Sequence, residues 1–378
     1  MKKIFFFIES LEIGGAEKSL LTLLHSFNFK NYEIDLMMLK EGTFLQDVPA
    51  FVNIIFLEEL RPSYFKRLKY FISKKIKLKN LHPAQYFWQI YNDHFNVYKT
   101  EYDIAIAYSQ GFSTYFVAEK ITAKIKFAWL NTDYKKAGYQ IAFDHPFYEK
   151  FTKIIAVSTE AKLSLEKELM QTKKELEIEI IKDIVDTNFI ISQANQSLKI
   201  KFEADKINIV SVGRLVVSKG FNLAVEACAI LLNKGYKINW YIVGEGVERK
   251  HLQRQIKEQK LERFFFLLGE DLNPYPYIKS ADIYVQTSLF EGLGLSLIEA
   301  KHLSKQIVTT DFAGSNEIIQ NNETGLIAEI NSVNIACKIQ QLIENPELKN
   351  QFSANLAKLK NIDKELSLLQ IEKLIKNA

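Results

Sequence analysis

Apolar runs of strand length alternate with helix-length amphipathic stretches from one end of the chain to the other. In the first half KKIFFFIE, YEIDLMML, NIIFLE, YDIAIAYS, KIKFAWLN, TKIIAVS and EIEIIKDI read as strands. Stretches such as GAEKSLLTLLHSF and EAKLSLEKEL have helical spacing and fall between them. Near-continuous apolar strands separated by helices predict a parallel sheet covered on both faces, because a sheet with one wet face would alternate. The pattern fades over NFIISQANQSLKIKFEADK. It resumes with the strands INIVSVGRL, INWYIVGEG, FFFLLG, ADIYVQTS, KQIVTTD and TGLIAE, interleaved with the helices FNLAVEACAILLNKG and 249–262. From residue 332 onward the chain reads as helices. The predicted fold class is α/β, with two doubly wound parallel-sheet (Rossmann-like) domains. They span 1–187 and 205–361, joined by a linker over 188–204, and a closing helix over 362–378 is expected to pack back on the first domain. Open sheets of this kind bind ligands in the crevice outside the carboxyl ends of their strands, so the chemistry is sought in the loops there.

Composition narrows the classes. At 378 residues, 47% hydrophobic and 25% charged, the chain has apolar material for two cores. A net charge of +4 is too mild for a nucleic-acid binder. Cys228 and Cys337 form no CxxC or CxxH group, which argues against a zinc site and for a reducing, cytoplasmic setting. No stretch of 18 or more apolar residues appears. The start MKKIFFFIESLEIGG is read as a buried first strand, because Glu9 and Glu12 and the missing small-residue site argue against a leader. Abundant Lys, Ile, Asn and Phe match a bacterial coding bias.

Four loops after strands carry candidate chemistry. In IESLEIGGAEKSLL, Gly14 and Gly15 open a helix whose N-terminus favours an anion; a tight turn with no ligand is the alternative. The adjacent glycines do not make the G-x-G-x-x-G of a dinucleotide site. In VSVGRLVVSKGFNL, Gly213 ends a strand, Arg214 follows, and Lys219 precedes a helix. Arg offers a planar fork for phosphate oxygens and Lys a mobile point charge, though solvated loop cations would look the same. In YIVGEGVERK, Gly244 and Gly246 read as a turn into a helix. In TSLFEGLGLSLIEAKHL, Glu291 and Glu299 stand eight positions apart around two glycines. A Gly-bearing loop opening a helix accounts for that spacing, with bare backbone N–H groups turned to an anion.

Taken together, VGRL…SKG and SLFEGLGLSLIEA resemble the retaining glycosyltransferases of family 4, which have the GT-B fold. The family's E-x7-E motif matches Glu291 and Glu299, its Arg and Lys pair matches Arg214 and Lys219, and its N-terminal glycine loop matches GGAEKSLL. The resemblance is strong over about 205–330 and looser over 1–190. It implies that Arg214 and Lys219 hold the diphosphate of a nucleotide-sugar donor, a UDP- or GDP-sugar. Glu299 would accept from the ribose hydroxyls and Glu291 from those of the transferred hexose. The backbone of Gly292, Leu293, Gly294 and Leu295 would lie along sugar and phosphate, with Gly213 at the phosphate loop and Gly269 and Glu270 near the base. No cofactor beyond the co-substrate and no metal are expected, and no D-x-D pair occurs.

One departure stands out. Many relatives carry a histidine after a strand of the first domain, often as WxH. Here FAWLNTDY places Asn131 there, with Asp133 two positions on. Both are candidates for the acceptor side; a turn and a helix cap are the alternative reading. Asn can donate to a hydroxyl but cannot carry a proton near neutral pH. A front-face displacement, in which the leaving phosphate takes the acceptor proton, needs no protein base.

The acceptor itself is approached through charge. No acid lies between Glu59 and Asp93, while Arg61, Lys66, Arg67, Lys69, Lys74, Lys75, Lys77 and Lys79 are interleaved with Tyr64, Phe65, Tyr70, Phe71 and Ile72. Such a stretch, 61–79, suits an anionic membrane surface, where family members act on glycan or polyprenyl-linked acceptors for capsule, lipopolysaccharide or exopolysaccharide. A solvated helix face is the plainer reading. The expected function is a retaining hexosyltransferase, cytoplasmic or peripheral at the inner face of the cell membrane. A nucleotide-sugar epimerase of GT-B fold and a non-catalytic nucleotide-sugar-binding subunit are the alternatives.

Overall fold

A computed structural model describes residues 1–57, 64–76, 81–170, 172, 175–358 and 363–377, and the side chains of all of these except 73–76 and 363. The chain divides into two compact units. One comprises Met1–Ile184 with Asp363–Ala378, the other Val185–Ile362.

In the first unit the described strands are β1 (Lys2–Phe7), β2 (Tyr32–Met38), β3 (Val52–Phe56), β4 (Glu101–Ala107), β5 (Thr122–Leu130), β6 (Lys153–Ala156) and β7 (Ile178–Ile180). They pair in the order β3-β2-β1-β4-β5-β6-β7, parallel throughout. The helices are α1 (Gly15–Ser26), α2 (Tyr64–Ile76), α3 (Pro83–Tyr91), α4 (Phe112–Lys120), α5 (Ile141–Tyr148) and α6 (Thr159–Leu169). The run Ile4 to Phe7 is wholly buried, as a central strand covered on both faces requires. Phe7 packs on the rings of Phe112 and Phe116 of α4, and Phe5 on Tyr102.

The second unit has α7 (Thr187–Ala194), then β8 (Ile207–Val212), α8 (Phe221–Asn233), β9 (Ile238–Val243), α9 (Arg249–Glu258), β10 (Phe265–Gly269), α10 (Tyr275–Ser280), β11 (Ile283–Gln286), α11 (Leu295–His302), β12 (Gln306–Thr310), α12 (Ser315–Ile318) and β13 (Leu326–Ala328). Helices α13 (Ser332–Glu344) and α14 (Pro346–Lys358) follow, and α15 (Asp363–Lys376) returns to the first unit, where Gln370 Nε2 donates to the Ile180 carbonyl at 3.2 Å. The strand order is β10-β9-β8-β11-β12-β13, again all parallel. Every residue of β9 is buried. Trp240 on β9 donates through Nε1 to Ser211 Oγ (3.0 Å), which donates to the Val285 carbonyl (2.5 Å), so one chain of bonds crosses β9, β8 and β11. Truncating Trp240 to Ala would cost about 3–5 kcal/mol.

One sequence expectation changes here. The stretch 188–204 is not a linker. Asp186 caps α7 by accepting from the Phe189 N–H, and Ile190, Ala194, Leu198, Ile200 and Phe202 pack into the second unit's core. Of the basic stretch 61–79, Arg61, Lys77 and Lys79 lie outside the described residues, as do the side chains of Lys74 and Lys75. The strand order reverses between β1 and β4 in one sheet and between β8 and β11 in the other, and these switch points fix where the loops below meet.

Candidate donor and acceptor sites

Strands β8 and β11 are neighbours, so the loops that leave their carboxyl ends are neighbours too. Two hydrogen bonds stitch them: the Leu289 N–H donates to the Ser218 carbonyl at 2.7 Å and the Thr287 hydroxyl to the Lys219 carbonyl at 2.9 Å. Gly220 makes the seam possible. It is left-handed (φ 60°), and a β-carbon there would stand 2.1 Å from the Thr287 carbonyl oxygen. Gly244 and Gly246 do the same for the loop after β9, where β-carbons would come 2.0 Å from the Gly213 oxygen and 2.3 Å from the Leu215 oxygen. Read in sequence as a turn into a helix, these two glycines also let backbone pack on the Arg214 loop.

The seam brings Lys219 and Glu291 together. Lys219 runs its aliphatic stem along Gly213 and places Nζ 2.5 Å from Glu291 Oε1, both side chains being largely buried. The same oxygen accepts from Ser288 Oγ at 2.6 Å and from Gln286 Nε2 at 3.3 Å. Arg214, next to Gly213, is exposed, and no described residue pairs with it. Sequence reasoning assigned Lys219 to phosphate and Glu291 to sugar as separate tasks; in the structure they form an ion pair. Charges about 4 Å apart at an effective dielectric near 20 attract by about 4 kcal/mol before desolvation, so the pair is an internal counter-charge that a diphosphate would have to compete with.

Gly292, Leu293 and Gly294 are buried, and Gly294 is the left-handed residue (φ 81°) before α11. Leu295 opens that helix. One turn on, Glu299 is 4% exposed and accepts from the Tyr275 hydroxyl at 3.0 Å. Burial, then the nearby Glu299 charge, pushes the Tyr275 phenol well above its ordinary range, so it stays a donor. Gly269 ends β10 in a left-handed turn (φ 86°), and its carbonyl accepts from the Gly244 N–H at 2.7 Å. Glu270 follows, exposed, three residues before the Asn273 that binds Gln193 and Gln196 beside α7. Tyr275, Gln286 and Ser288 were not picked out from the sequence.

Gly14, Gly15, Asn131 and Asp133 belong to the first unit. Gly14 caps α1 in extended conformation, with the Glu17 carboxyl close against it: a β-carbon at Gly14 would stand 2.1 Å from Glu17 Oε2. The helix start expected to attract an anion thus carries a carboxylate of its own. Asp133 is committed to its turn. It accepts through Oδ1 from the Lys136 N–H (3.1 Å) and from Ser164 Oγ of α6 (2.6 Å), the bonds of the turn reading. Asn131 is different. Its N–H donates to Gln110 Oε1 at 3.2 Å, but both of its side-chain polar atoms are buried with no partner among the described residues. Nearby helices are held by Asp144 of α5, which accepts from Gln85 Nε2 (2.7 Å), Tyr115 (2.7 Å) and Tyr134 (2.6 Å). Burial raises its carboxyl to about 6 against the pull of those three donors.

Helix α2 is turned inside out. Tyr64 (73% exposed), Phe65 (80%), Leu68, Phe71 (63%) and Ile72 form one apolar arc toward solvent. The opposite face binds α3 and its flank: Lys66 pairs with Asp93 at 2.6 Å, and the Tyr70 ring packs on Phe87 and Tyr91. Arg67 and Lys69 are exposed. Among the described residues no helix is long and apolar enough to cross a membrane, and no group of three or more His, Cys, Asp or Glu could hold a metal ion.

Residues 192–359 match the family described as glycosyl transferases group 1. Over 363 residues, 93% of each chain, the protein is 29% identical to the Campylobacter jejuni N-acetylgalactosamine-N,N'-diacetylbacillosaminyl-diphospho-undecaprenol 4-alpha-N-acetylgalactosaminyltransferase. It is 31% identical over 155 residues, 40% of this chain and 31% of the other, to the Staphylococcus aureus poly(ribitol-phosphate) alpha-N-acetylglucosaminyltransferase. Among solved structures, Anabaena HepE in complex with UDP and glucose superposes with a TM-score of 0.72 at 18% identity, covering all of both chains. That likeness confirms the GT-B class of fold.

Proposed function

This chain is a glycosyltransferase of group 1, and from that premise we propose that it moves a hexose-type sugar from a UDP- or GDP-sugar to a hydroxyl of a glycan or polyprenyl-linked acceptor. The anomeric configuration is retained, and the product is a bacterial surface polysaccharide such as capsule or lipopolysaccharide. The observation that carries the reading is the seam between the β8 and β11 loops, which presents an exposed Arg214, a Lys219–Glu291 pair and the buried Glu299 from one end of one sheet. Arg214 and Lys219 take the diphosphate, drawing Lys219 from Glu291. Glu291 then accepts from hydroxyls of the sugar and Glu299 from those of the ribose. As the bond between anomeric carbon and phosphate breaks, charge grows on the leaving diphosphate, and the two cations stabilise that state more than the bound donor. The acceptor oxygen bonds to the anomeric carbon and its proton passes to the departing phosphate oxygen. No side-chain base is needed, which is compatible with Asn131.

The acceptor reading extends to a membrane. An apolar arc flanked by Arg67 and Lys69, in a stretch with no acid between Glu59 and Asp93, has the make-up of a helix that lies in the headgroup region of an anionic bilayer. The Campylobacter relative, whose name includes an undecaprenol diphosphate, supports a lipid-linked acceptor.

A panel of nucleotide sugars scored by thermal shift tests the donor reading, because a ligand that binds only the folded state raises Tm. One UDP- or GDP-sugar should stabilise the chain; no shift from any of them at millimolar concentration would refute the reading. Flotation with anionic liposomes tests the membrane reading. Binding should fall with salt and with Phe65→Ser/Phe71→Ser, and absence of binding at low salt would end it.

A further inference from the structure

We propose that Gln286 is a positioning residue of the donor site: its amide holds Glu291 with one carboxylate oxygen bound to the protein and the other left for hydroxyls of the transferred sugar. The inference rests on the donor reading above and assigns a task to a residue that none of the sequence motifs contains.

Gln286 is the last residue of β11 and only 4% exposed. A side-chain amide at such a place costs free energy unless both of its ends are bonded. Both are. Oε1 accepts from Ser296 Oγ at 3.0 Å and from the Tyr284 hydroxyl at 3.2 Å, while Nε2 reaches Glu291 Oε1 at 3.3 Å. The two hydroxyls come from fixed places. Tyr284 is fully buried in β11, its phenol also bonded by the Val212 backbone, and Ser296 is the second residue of α11. With two donors on Oε1, the amide's own donor end has one direction left, toward the carboxylate.

Three donors therefore converge on Glu291 Oε1: Lys219, Ser288 and Gln286. Among the described residues none reaches Oε2. A carboxylate has acceptor capacity on both oxygens, so the arrangement fixes the group's rotation and keeps one oxygen available. Lys219 is the donor that a diphosphate would draw away. Ser288 and Gln286 then remain, and only Gln286 ties Glu291 to both the strand and the following helix.

The test is isothermal calorimetry on the full chain, with UDP, GDP and whichever nucleotide sugar stabilises it, for wild type, Gln286→Leu and Gln286→Glu. Gln286→Leu should bind the free nucleotide within about twofold of wild type but the nucleotide sugar about tenfold more weakly, the loss expected for one hydrogen bond to a charged group. Gln286→Glu keeps the acceptors for Ser296 and Tyr284 but sets a second carboxylate against Glu291. Two such groups share a proton, so its nucleotide-sugar affinity should be poor near about pH 8 and recover toward about pH 6. Equal loss of nucleotide and nucleotide sugar, or loss of neither, in Gln286→Leu would overturn the proposal, and so would a Gln286→Glu affinity that does not change with pH. Should Gln286→Leu fail to fold, the pH response of Gln286→Glu decides. A wild-type chain that binds free nucleotide and no nucleotide sugar would overturn the donor reading first, and this proposal with it.

Discussion

The strand ends of the two units treat their polar side chains in opposite ways. In the second unit Lys219, Ser288 and Gln286 converge on Glu291, and Tyr275 binds Glu299. In the first, Asn131 has both amide atoms buried without a partner among the described residues, while the well-bonded carboxylate, Asp144, serves helices instead. The first pattern is a site organised before its ligand arrives. The second leaves buried amide atoms unpaired among the described residues, which is uncommon in folded proteins. A transferase that meets the same donor in each cycle gains from fixing that side, because ordering costs are then met at folding rather than at binding.

Three experiments would break or sharpen this contrast. The largest effect is expected for Arg214→Ala, which removes a loop cation that has no partner among the described residues. Transfer should fall on the order of 10²–10³-fold with Tm unchanged, the usual loss for one preorganised contact to a leaving group. Near-wild-type turnover would mean that the second unit's organisation is structural only.

Next is Asp144. Its folded carboxyl, at about 6, lies above the ordinary unfolded value near 3.9. The folded state therefore holds the proton more tightly. The stability this gives is complete below the unfolded value and is lost as pH rises through about 6. Asp144→Asn cannot titrate. Denaturant melts should thus show wild type losing on the order of 2–3 kcal/mol against the variant between about pH 4 and pH 7. A flat difference would show that the three donors offset burial fully.

The smallest effect is expected for Asn131→Ala. Deleting two unpaired buried polar atoms should leave stability within about 1 kcal/mol of wild type, or raise it. A loss of 2 kcal/mol or more would reveal a hidden partner and erase the contrast.

Each of the thirteen described strands overlaps a run that the sequence marks, and for the central ones the reason is that a parallel strand buried on both faces is a continuous apolar word. The stretch 188–204 was misread for a related reason. Helix α7 has eight residues and buries Ile190 and Ala194, too short a pattern to stand out from coil. In the site, the charged residues could be picked out by their spacing. What the spacing does not show is pairing. Nothing in the linear order says that Lys219 would meet Glu291, 72 positions away, or that Tyr275 would meet Glu299. The glycines carry the same lesson. Their places in the chain do not show that at Gly220, Gly244 and Gly246 the protein's own backbone comes close.

The left-handed Gly220, pressed on the Thr287 carbonyl, welds two loops into one mechanical part. A compound that displaces Lys219 therefore also disturbs Glu291, whichever half of the donor it imitates. Pyrophosphate mimics and sugar mimics should not have additive affinities here, and an inhibitor assembled by joining separately optimised fragments would depart from the sum of its pieces.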